Sequence, residues 1–348
     1  MDNIQGEITI KDIARICGVG VSTVSRAINN HHDINPETKQ KIMETIDKYG
    51  YIPNNSARNL KRTFADTIAI LVKGISNPFF SDMIGIIEDD ARKRGYAVEL
   101  RHVDYQEDEV DIALELTKEK RLKGIVFLGG FFYHTEEKLS KLSVPVVIAT
   151  AGCIPVNMEK SLYSSFTVDD EKEGYRVTKY LIDMGHRDIA ILCGEEANES
   201  VGQLRLLGYM RALKEHGMKV EEDLVCPMKK NIEYYTMQNG YATMMDLLRS
   251  GRKVSAVFAI SDVLAIGACR AIADFGLKVP EDISVVGYDG IEMGRYMIPA
   301  ITTMKQPVKD IAASCSELLF DIVEHGAPNQ HRVFDGELIV RESSTAAK

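Results

Sequence analysis

The chain has 348 residues, 45% of them apolar and 27% charged, with a formal net charge of -9. That length exceeds what one hydrophobic core can serve, so at least two globular domains are expected, and the composition excludes a disordered or fibrous chain. The densest apolar stretch, residues 144–156, falls short of the roughly 20 residues of a membrane span and is broken by Pro145 and Pro155.

The opening residues MDNIQGEITIKD carry acids and no apolar run, so no secretory leader is expected. Thr9 then has the position of a helix cap, and Asp12, three residues on, can bond back to its amide. Ile10, Ile13, Ala14 and Cys17 follow at i, i+3, i+4 and i+7, one apolar stripe. Gly18-Val19-Gly20 ends this helix and turns the chain. A second helix is expected from about Val21 to Asn29, burying Val24 and Ile28. A third opens at Asn35 with Pro36 in its first position, buries Ile42, Ile46 and Tyr49, and stops at Gly50. Two short helices joined by a tight turn and braced by a third make a helix-turn-helix, a device for reading DNA. The same glycines begin a dinucleotide-loop pattern, but its last glycine is missing and a helix precedes it, so that reading is set aside.

Charge separates this head from the rest of the chain. Residues 8–62 hold nine Lys/Arg against five Asp/Glu, whereas residues 63–348 hold 33 against 44. A small basic head on a large acidic body fits a nucleic-acid-binding module joined to something else.

In the body, β-like runs alternate with helical stretches. One series of strands is expected at 68–72, 97–100, 124–128 and 144–149, and a second at 166–168, 189–192, 256–259 and 284–288. Such alternation predicts α/β architecture: parallel sheets with helices on both faces, in two lobes, with a ligand cleft at the C-terminal ends of the strands. The six cysteines (Cys17, Cys153, Cys193, Cys226, Cys269, Cys315) are scattered without a C-x-x-C pair, which fits reduced thiols in the cytoplasm and neither a disulfide framework nor a zinc site. No phosphate loop, H-E-x-x-H or G-x-S-x-G occurs, so no catalytic residue, metal or cofactor is expected.

Longer motifs then carry a resemblance. T-I-K-D-I-A-R-I-C-G-V, S-T-V-S-R-A-I-N and Y-G-Y-I-P-N-N-S-A-R-N-L-K stand in the head. In the body stand S-N-P-F-F, M-G-H-R-D-I-A, S-D-V-L-A-I-G, P-E-D-I-S-V-V-G-Y-D and I-T-T-M-K-Q-P. In this order, over nearly the whole chain, they resemble the lactose/galactose repressor (LacI/GalR) family of transcription regulators. The resemblance implies a helix-turn-helix domain at 8–53, a hinge helix at 54–62 and an effector-binding and dimerisation domain at 66–348. That last domain would be like periplasmic sugar-binding proteins, with crossings between lobes near 166, 293 and 330.

It also implies that the second helix lies in the major groove. Val21, Ser22 and Arg26 would then face base edges, with Ser25 and Asn29 nearer the phosphates. Arg26 can give two parallel hydrogen bonds to guanine. One departure is Gly20, where the family usually has a capping serine. The hinge, with Ala57, Arg58, Leu60 and Lys61, would fold on DNA and pair with a dimer mate across the minor groove; Ala57 allows close helix approach and Leu60 is the wedge that kinks the duplex.

For the effector the resemblance points to Phe79, Phe80, Glu199, Gln203, Arg205, Tyr235, Ser261, Asp262 and Asp289. Several have plainer alternatives that the sequence leaves open. Phe79 and Phe80 can be core aromatics, Arg205 a lobe-packing ion pair, Asp262 a helix cap and Asp289 a turn carboxylate. Glu199 stands where the purine repressor has an arginine, which weakens a purine assignment. Carboxylates with aromatics suit a neutral sugar or polyol. The expected protein is a homodimeric, cytoplasmic repressor of operator DNA under small-molecule control, without a membrane role. The alternative is a solute-binding protein of a transport system, against which the basic head and the missing leader both count.

Overall fold

A computed structural model of the chain describes residues 8–28, 34–51, 66–105, 107–130, 136–151, 162–194 and 200–348. Its contacts divide the chain into two compact units, Met1–Phe64 and Ala65–Lys348. In the first, α1 spans Ile10–Cys17, α2 Val21–Ile28 and α3 Pro36–Tyr49. The Asp12 amide donates to Thr9 Oγ1 at 3.4 Å and the Thr9 amide to Asp12 Oδ2 at 3.0 Å, a closed capping box. Gly18 ends α1 at φ 69°, a conformation that any side chain would strain, and the chain turns there into α2. Asn35 Oδ1 caps α3 by accepting from the Glu37 and Thr38 amides at 2.9 and 3.3 Å.

The three helices close over Ile13, Ala14, Cys17, Val24, Ala27, Ile42, Ile46 and Tyr51. Two expectations need correction. Ile28 is only half-buried at the end of α2, and Tyr49 is exposed. For Tyr49 the cause is the end of α3: Gly50 sits at φ 60° and the Tyr51 amide donates back to the Ile46 carbonyl at 3.1 Å. That reversal tucks Tyr51 under the helix, where the sequence had placed Tyr49.

The second unit starts with β1 (Thr67–Lys73), α4 (Phe79–Lys93), β2 (Ala97–Val103) and α5 (Glu109–Glu119). Then come β3 (Leu122–Leu128), α6 (Glu136–Leu139), β4 (Val146–Ala149) and β5 (Ser164–Val168). The other lobe takes α7 (Asp170–Asp183), β6 (Ile189–Cys193), α8 (Val201–Glu215), β7 (Val225–Pro227) and α9 (Met237–Arg249). It continues with β8 (Ala256–Ala259), α10 (Asp262–Asp274), β9 (Ser284–Asp289), α11 (Glu292–Arg295) and β10 (Thr302–Lys305). The chain returns for α12 (Val308–His325) and β11 (His331–Phe334), and ends the second sheet with β12 (Glu337–Ile339).

The strand orders are β11-β5-β4-β3-β1-β2 and β12-β10-β9-β8-β6-β7, parallel throughout except for β12 against β10. Both faces of the first sheet are covered, as the uninterrupted apolar run of β1 requires. Ile68, Ile70 and Val72 meet Met83, Ile87 and Ala91 of α4. Ala69 and Leu71, pointing the other way, join Val110, Ala113 and Leu116 of α5.

The run 166–168, expected to open the second series, is instead β5, paired with β4 through Val147 and Ser164. β7, β10, β11 and β12 had no long apolar run to announce them, being three or four residues each, with Pro227 in β7 and Thr, Lys, His, Arg or Glu in the other three. The crossings fall after β5, after β10 and between β11 and β12, later than the expected 166, 293 and 330. The middle one moves most, because α11 and β10 still belong to the second lobe. Among the described residues no helix is long and apolar enough to cross a membrane.

Candidate functional site

On α2 the buried positions are Val24 and Ala27, and they fix which side faces outward. Val21, Ser22 and Arg26 are exposed and Ser25 is half-buried. At about 100° per residue these four fall on one side of the helix, away from the core. The Gly20 carbonyl accepts from the Thr23 and Val24 amides at 2.9 and 3.2 Å, so glycine still begins the helix without a capping hydroxyl. Asn29 and the hinge residues Ala57, Arg58, Leu60 and Lys61 lie outside the described residues.

In the body, a pocket sits where the strand ends of both lobes meet, the position that parallel α/β sheets offer to ligands. From the first lobe it takes Lys73 at the end of β1, Asn77, Phe79, Phe80, Tyr105 after β2, and Thr150 after β4. From the second it takes Ser200, Val201, Arg205, Tyr235, Asp289 at the end of β9, and Gln306 after β10. The cavity left between them is about 40 Å³.

The second-lobe wall is built on charge. Arg205, 4% exposed, donates through Nε to Asp170 Oδ1 at 2.8 Å and through Nη1 to the Ile260 carbonyl at 2.6 Å. Its guanidinium lies 3.6 Å from the Tyr288 ring centroid, and the Tyr288 hydroxyl also donates to Asp170 Oδ1, at 3.1 Å. Asp289 is 3.8 Å from Arg205 Nη1. Its Oδ1 accepts from Gln306 Nε2 at 2.9 Å and its Oδ2 from Asn77 Nδ2 at 3.2 Å. Asp289 stands at φ 109°, a strained value for any residue but glycine, held by bonds from both lobes. Burial pushes its carboxyl up to about 6, while Arg205 and the bonds from Asn77 and Gln306 pull the other way. Burial opposes the charge of Arg205 as well, yet Asp170, Tyr288 and Asp289 leave its pKa raised.

The first-lobe wall carries one internal ion pair and apolar rings. Lys73 Nζ donates to Glu109 Oε2 and to the Glu107 carbonyl, both at 2.8 Å, with both side chains of the pair 4% exposed. Phe79 and Phe80 are buried at the start of α4, edge to face at 5.1 Å. They serve both as core and as pocket wall, so the two readings of this pair are not exclusive. The same holds for Arg205, which packs the lobe and faces the cavity.

The remaining expected residues fall at different places. Tyr235 is half-buried at φ 54° and stacks on Tyr105. Ser261, fully buried, caps α10 by accepting from the Leu264 amide at 3.4 Å. Asp262 is not that cap: its Oδ2 accepts from the Ile291 amide at 2.8 Å and so ties the turn after β9. Burial, then the neighbouring charge of Asp289, push its carboxyl up to about 8, against the hydrogen bond from the Ile291 amide. Neither Ser261 nor Asp262 lines the pocket; they stand behind it. Gln203 is half-buried in the first turn of α8, where the wall takes Ser200, Val201 and Arg205 instead. Glu199 lies outside the described residues. Sequence reasoning missed Lys73, Asn77, Tyr105, Thr150, Asp170 and Gln306. Asn77 and Gln306 stood inside the motifs S-N-P-F-F and I-T-T-M-K-Q-P, each just past a strand end, and that position was the available signal.

A three-helix head with an outward α2 face and a two-lobed body with a pocket at its strand ends define a ligand-regulated DNA-binding protein. Residues 9–54 match the model of bacterial regulatory proteins of the lacI family, and residues 178–344 that of a periplasmic binding protein-like domain. The chain is 40% identical over 338 residues to the HTH-type transcriptional regulator MalR of Clostridium butyricum, covering 97% of this chain and 99% of that one. It is 32% identical over 340 residues to the HTH-type transcriptional repressor PurR of Pasteurella multocida, covering 96% and 98%. Among solved structures it is similar to a complex of the transcriptional regulator CelR with cellobiose, at 28% identity and a TM-score of 0.69, covering 97% and 99%. The chain belongs to the LacI family of transcriptional regulators.

Proposed function

We propose that this regulator is a cytoplasmic, non-catalytic homodimeric repressor whose pocket takes a neutral sugar or polyol. The observation that carries the reading is the charge of the wall. Lys73 is matched by Glu109 and Arg205 by Asp170, two partners outside the lining, so with them counted Asp289, 3.8 Å from Arg205, is the excess carboxylate of this group. An anionic ligand would meet that carboxylate with both lining cations already engaged, whereas hydroxyl groups could donate to it in exchange for Asn77 and Gln306. The flanking rings of Phe79, Phe80 and Tyr235 supply apolar faces for a sugar ring. Among similar structures, the complex of CelR with cellobiose supports a sugar, while the relative PurR keeps purines in the test.

On the DNA side, Val21, Ser22 and Arg26 would read bases and Ser25 phosphates, in each half of a pseudo-palindromic operator. Asn29 and the hinge residues Ala57, Arg58, Leu60 and Lys61 complete that proposal, with the domain limits 8–53, 54–62 and 66–348. Met293, Tyr296 and Ile298, within six residues of one another in the second lobe, are exposed apolar side chains that the second copy of the proposed homodimer would cover.

The test is a thermal melt of the full chain with cellobiose, maltose, ribose and hypoxanthine. A ligand at 100 times its dissociation constant adds about 2.7 kcal/mol of stability. A rise with a sugar supports the reading; a rise with hypoxanthine alone replaces the sugar by a purine.

A further inference from the structure

We propose that Tyr105 is a further ligand-gripping residue, forming with Tyr235 an aromatic clamp that is self-stacked without ligand and takes a sugar ring between its two faces. The proposal deepens the sugar reading and rests on it.

The two tyrosines come from different lobes. Tyr105 lies in the connection from β2 to α5, and Tyr235 in that from β7 to α9. Their rings are 16° from parallel with centroids 6.1 Å apart, and Tyr234 meets Tyr105 edge to face at 5.0 Å. Beside them Ser76 of the first lobe donates to Glu233 of the second at 2.6 Å. These contacts, with that of Asn77 to Asp289, hold one side of the cleft shut.

Space makes the closure consequential. The cavity of about 40 Å³ is far below the roughly 300 Å³ of a small ligand site. A sugar must therefore displace part of the wall. Phe79 and Phe80 are buried in α4, and Arg205 is fastened to Asp170 and Ile260. Tyr235 is seated by its amide on Met228 Sδ at 3.3 Å, and its hydroxyl lies over Gly202, where a Cβ would come within 2.8 Å of it. Tyr105 rides with the opposite lobe, so parting the lobes parts the rings. One intervening ring needs about 7–8 Å between the planes, two carbon–carbon contacts of about 3.5–4.0 Å. The electron-poor C–H faces of a pyranose match the negative faces of both tyrosines. The same opening takes Asn77 away from Asp289 and leaves its carboxylate to ligand hydroxyls.

The chain contains no tryptophan, so Tyr105→Trp in the full-length protein places one reporter in the clamp. Calorimetry with cellobiose, maltose, ribose and hypoxanthine first finds what wild type binds. For a pyranose ligand, Tyr105→Ala is expected to weaken binding about tenfold and Tyr105→Phe by less than about threefold. The single tryptophan of Tyr105→Trp should emit as a buried group without ligand and change its emission when the sugar is added. Should the alanine variant fail to fold, the phenylalanine and tryptophan variants carry the test. A folded Tyr105→Ala that binds the sugar as tightly as wild type overturns the clamp and leaves the sugar reading standing. So does emission from Tyr105→Trp that ignores a sugar shown to bind. If no sugar of the four binds wild type, the sugar reading falls and the clamp with it.

Discussion

The two walls of the pocket use charge differently. On the first lobe, Lys73 and Glu109 neutralise each other in a buried pair 2.8 Å apart, and the surface beside them is aromatic. On the second, one guanidinium serves Asp170 and Asp289 together, and Asp262 stands behind with a raised pKa. An excess of carboxyl groups over cations is costly to bury unless each is hydrogen-bonded or protonated. Unneutralised charge is therefore concentrated on one side: the first wall, its ion pair closed on itself, offers rings and the Asn77 amide, while the second offers the carboxylate of Asp289.

Breaking the second wall should cost the most. Arg205→Ala leaves Asp170 and Asp289 buried without their cation and should destabilise the body by about 3–5 kcal/mol in urea unfolding. A loss below about 1 kcal/mol would mean that these carboxyl groups do not depend on Arg205.

On the first wall, Glu109→Ala strands the Lys73 ammonium and should cost about 1–3 kcal/mol or more. The double variant Lys73→Met/Glu109→Leu should return to within about 1 kcal/mol of wild type. If the double variant folds but binds no ligand, the pair takes part in recognition and the contrast between the walls fails.

Operator discrimination probes the head. Arg26→Ala is expected to cost about 1–3 kcal/mol at one base position while leaving the melting of the body unchanged. Uniform weakening over all DNA sequences would assign Arg26 to phosphate.

A pH slope probes the second wall in another way. Asp262 and Asp289 titrate at about 8 and about 6 in the folded chain, both above the ordinary aspartate value of 3.8. Between 3.8 and these values the native state binds the extra protons, so the stability they contribute is full at low pH and lost as pH rises toward 8. Asp262→Asn, which imitates the protonated acid, should flatten the fall in melting temperature between pH 5 and pH 8 relative to wild type. An unchanged slope would place the proton elsewhere.

Much of this was legible in the sequence, for reasons that differ by region. The head is local: Thr9 with Asp12, Gly18 and Asn35-Pro36 act within three or four residues, so cap, turn and helix could be read directly. Tyr51 was missed because its burial depends on the reversal at Gly50, which periodicity does not describe. In the body, long apolar runs such as β1 announced themselves, whereas β10 and β11 are short polar strands that exist only because neighbours pair with them. The pocket was half legible. Asp289 could be placed by motif and Tyr235 by its position in the family resemblance, but Tyr105 and Asp170 reach the site through topology alone. Asp170 stands 35 residues from Arg205 and 118 from Tyr288, and Tyr105 meets Tyr235 from the opposite lobe.

If pocket occupancy controls DNA binding, operator affinity must differ with and without the sugar that raises the melting temperature. A site selected from random DNA with the full chain serves as operator. The expected change in affinity is about 5- to 150-fold, and by linkage sugar affinity changes equally when operator is bound. A sugar that binds tightly and leaves operator affinity the same would contradict control of the head by the pocket.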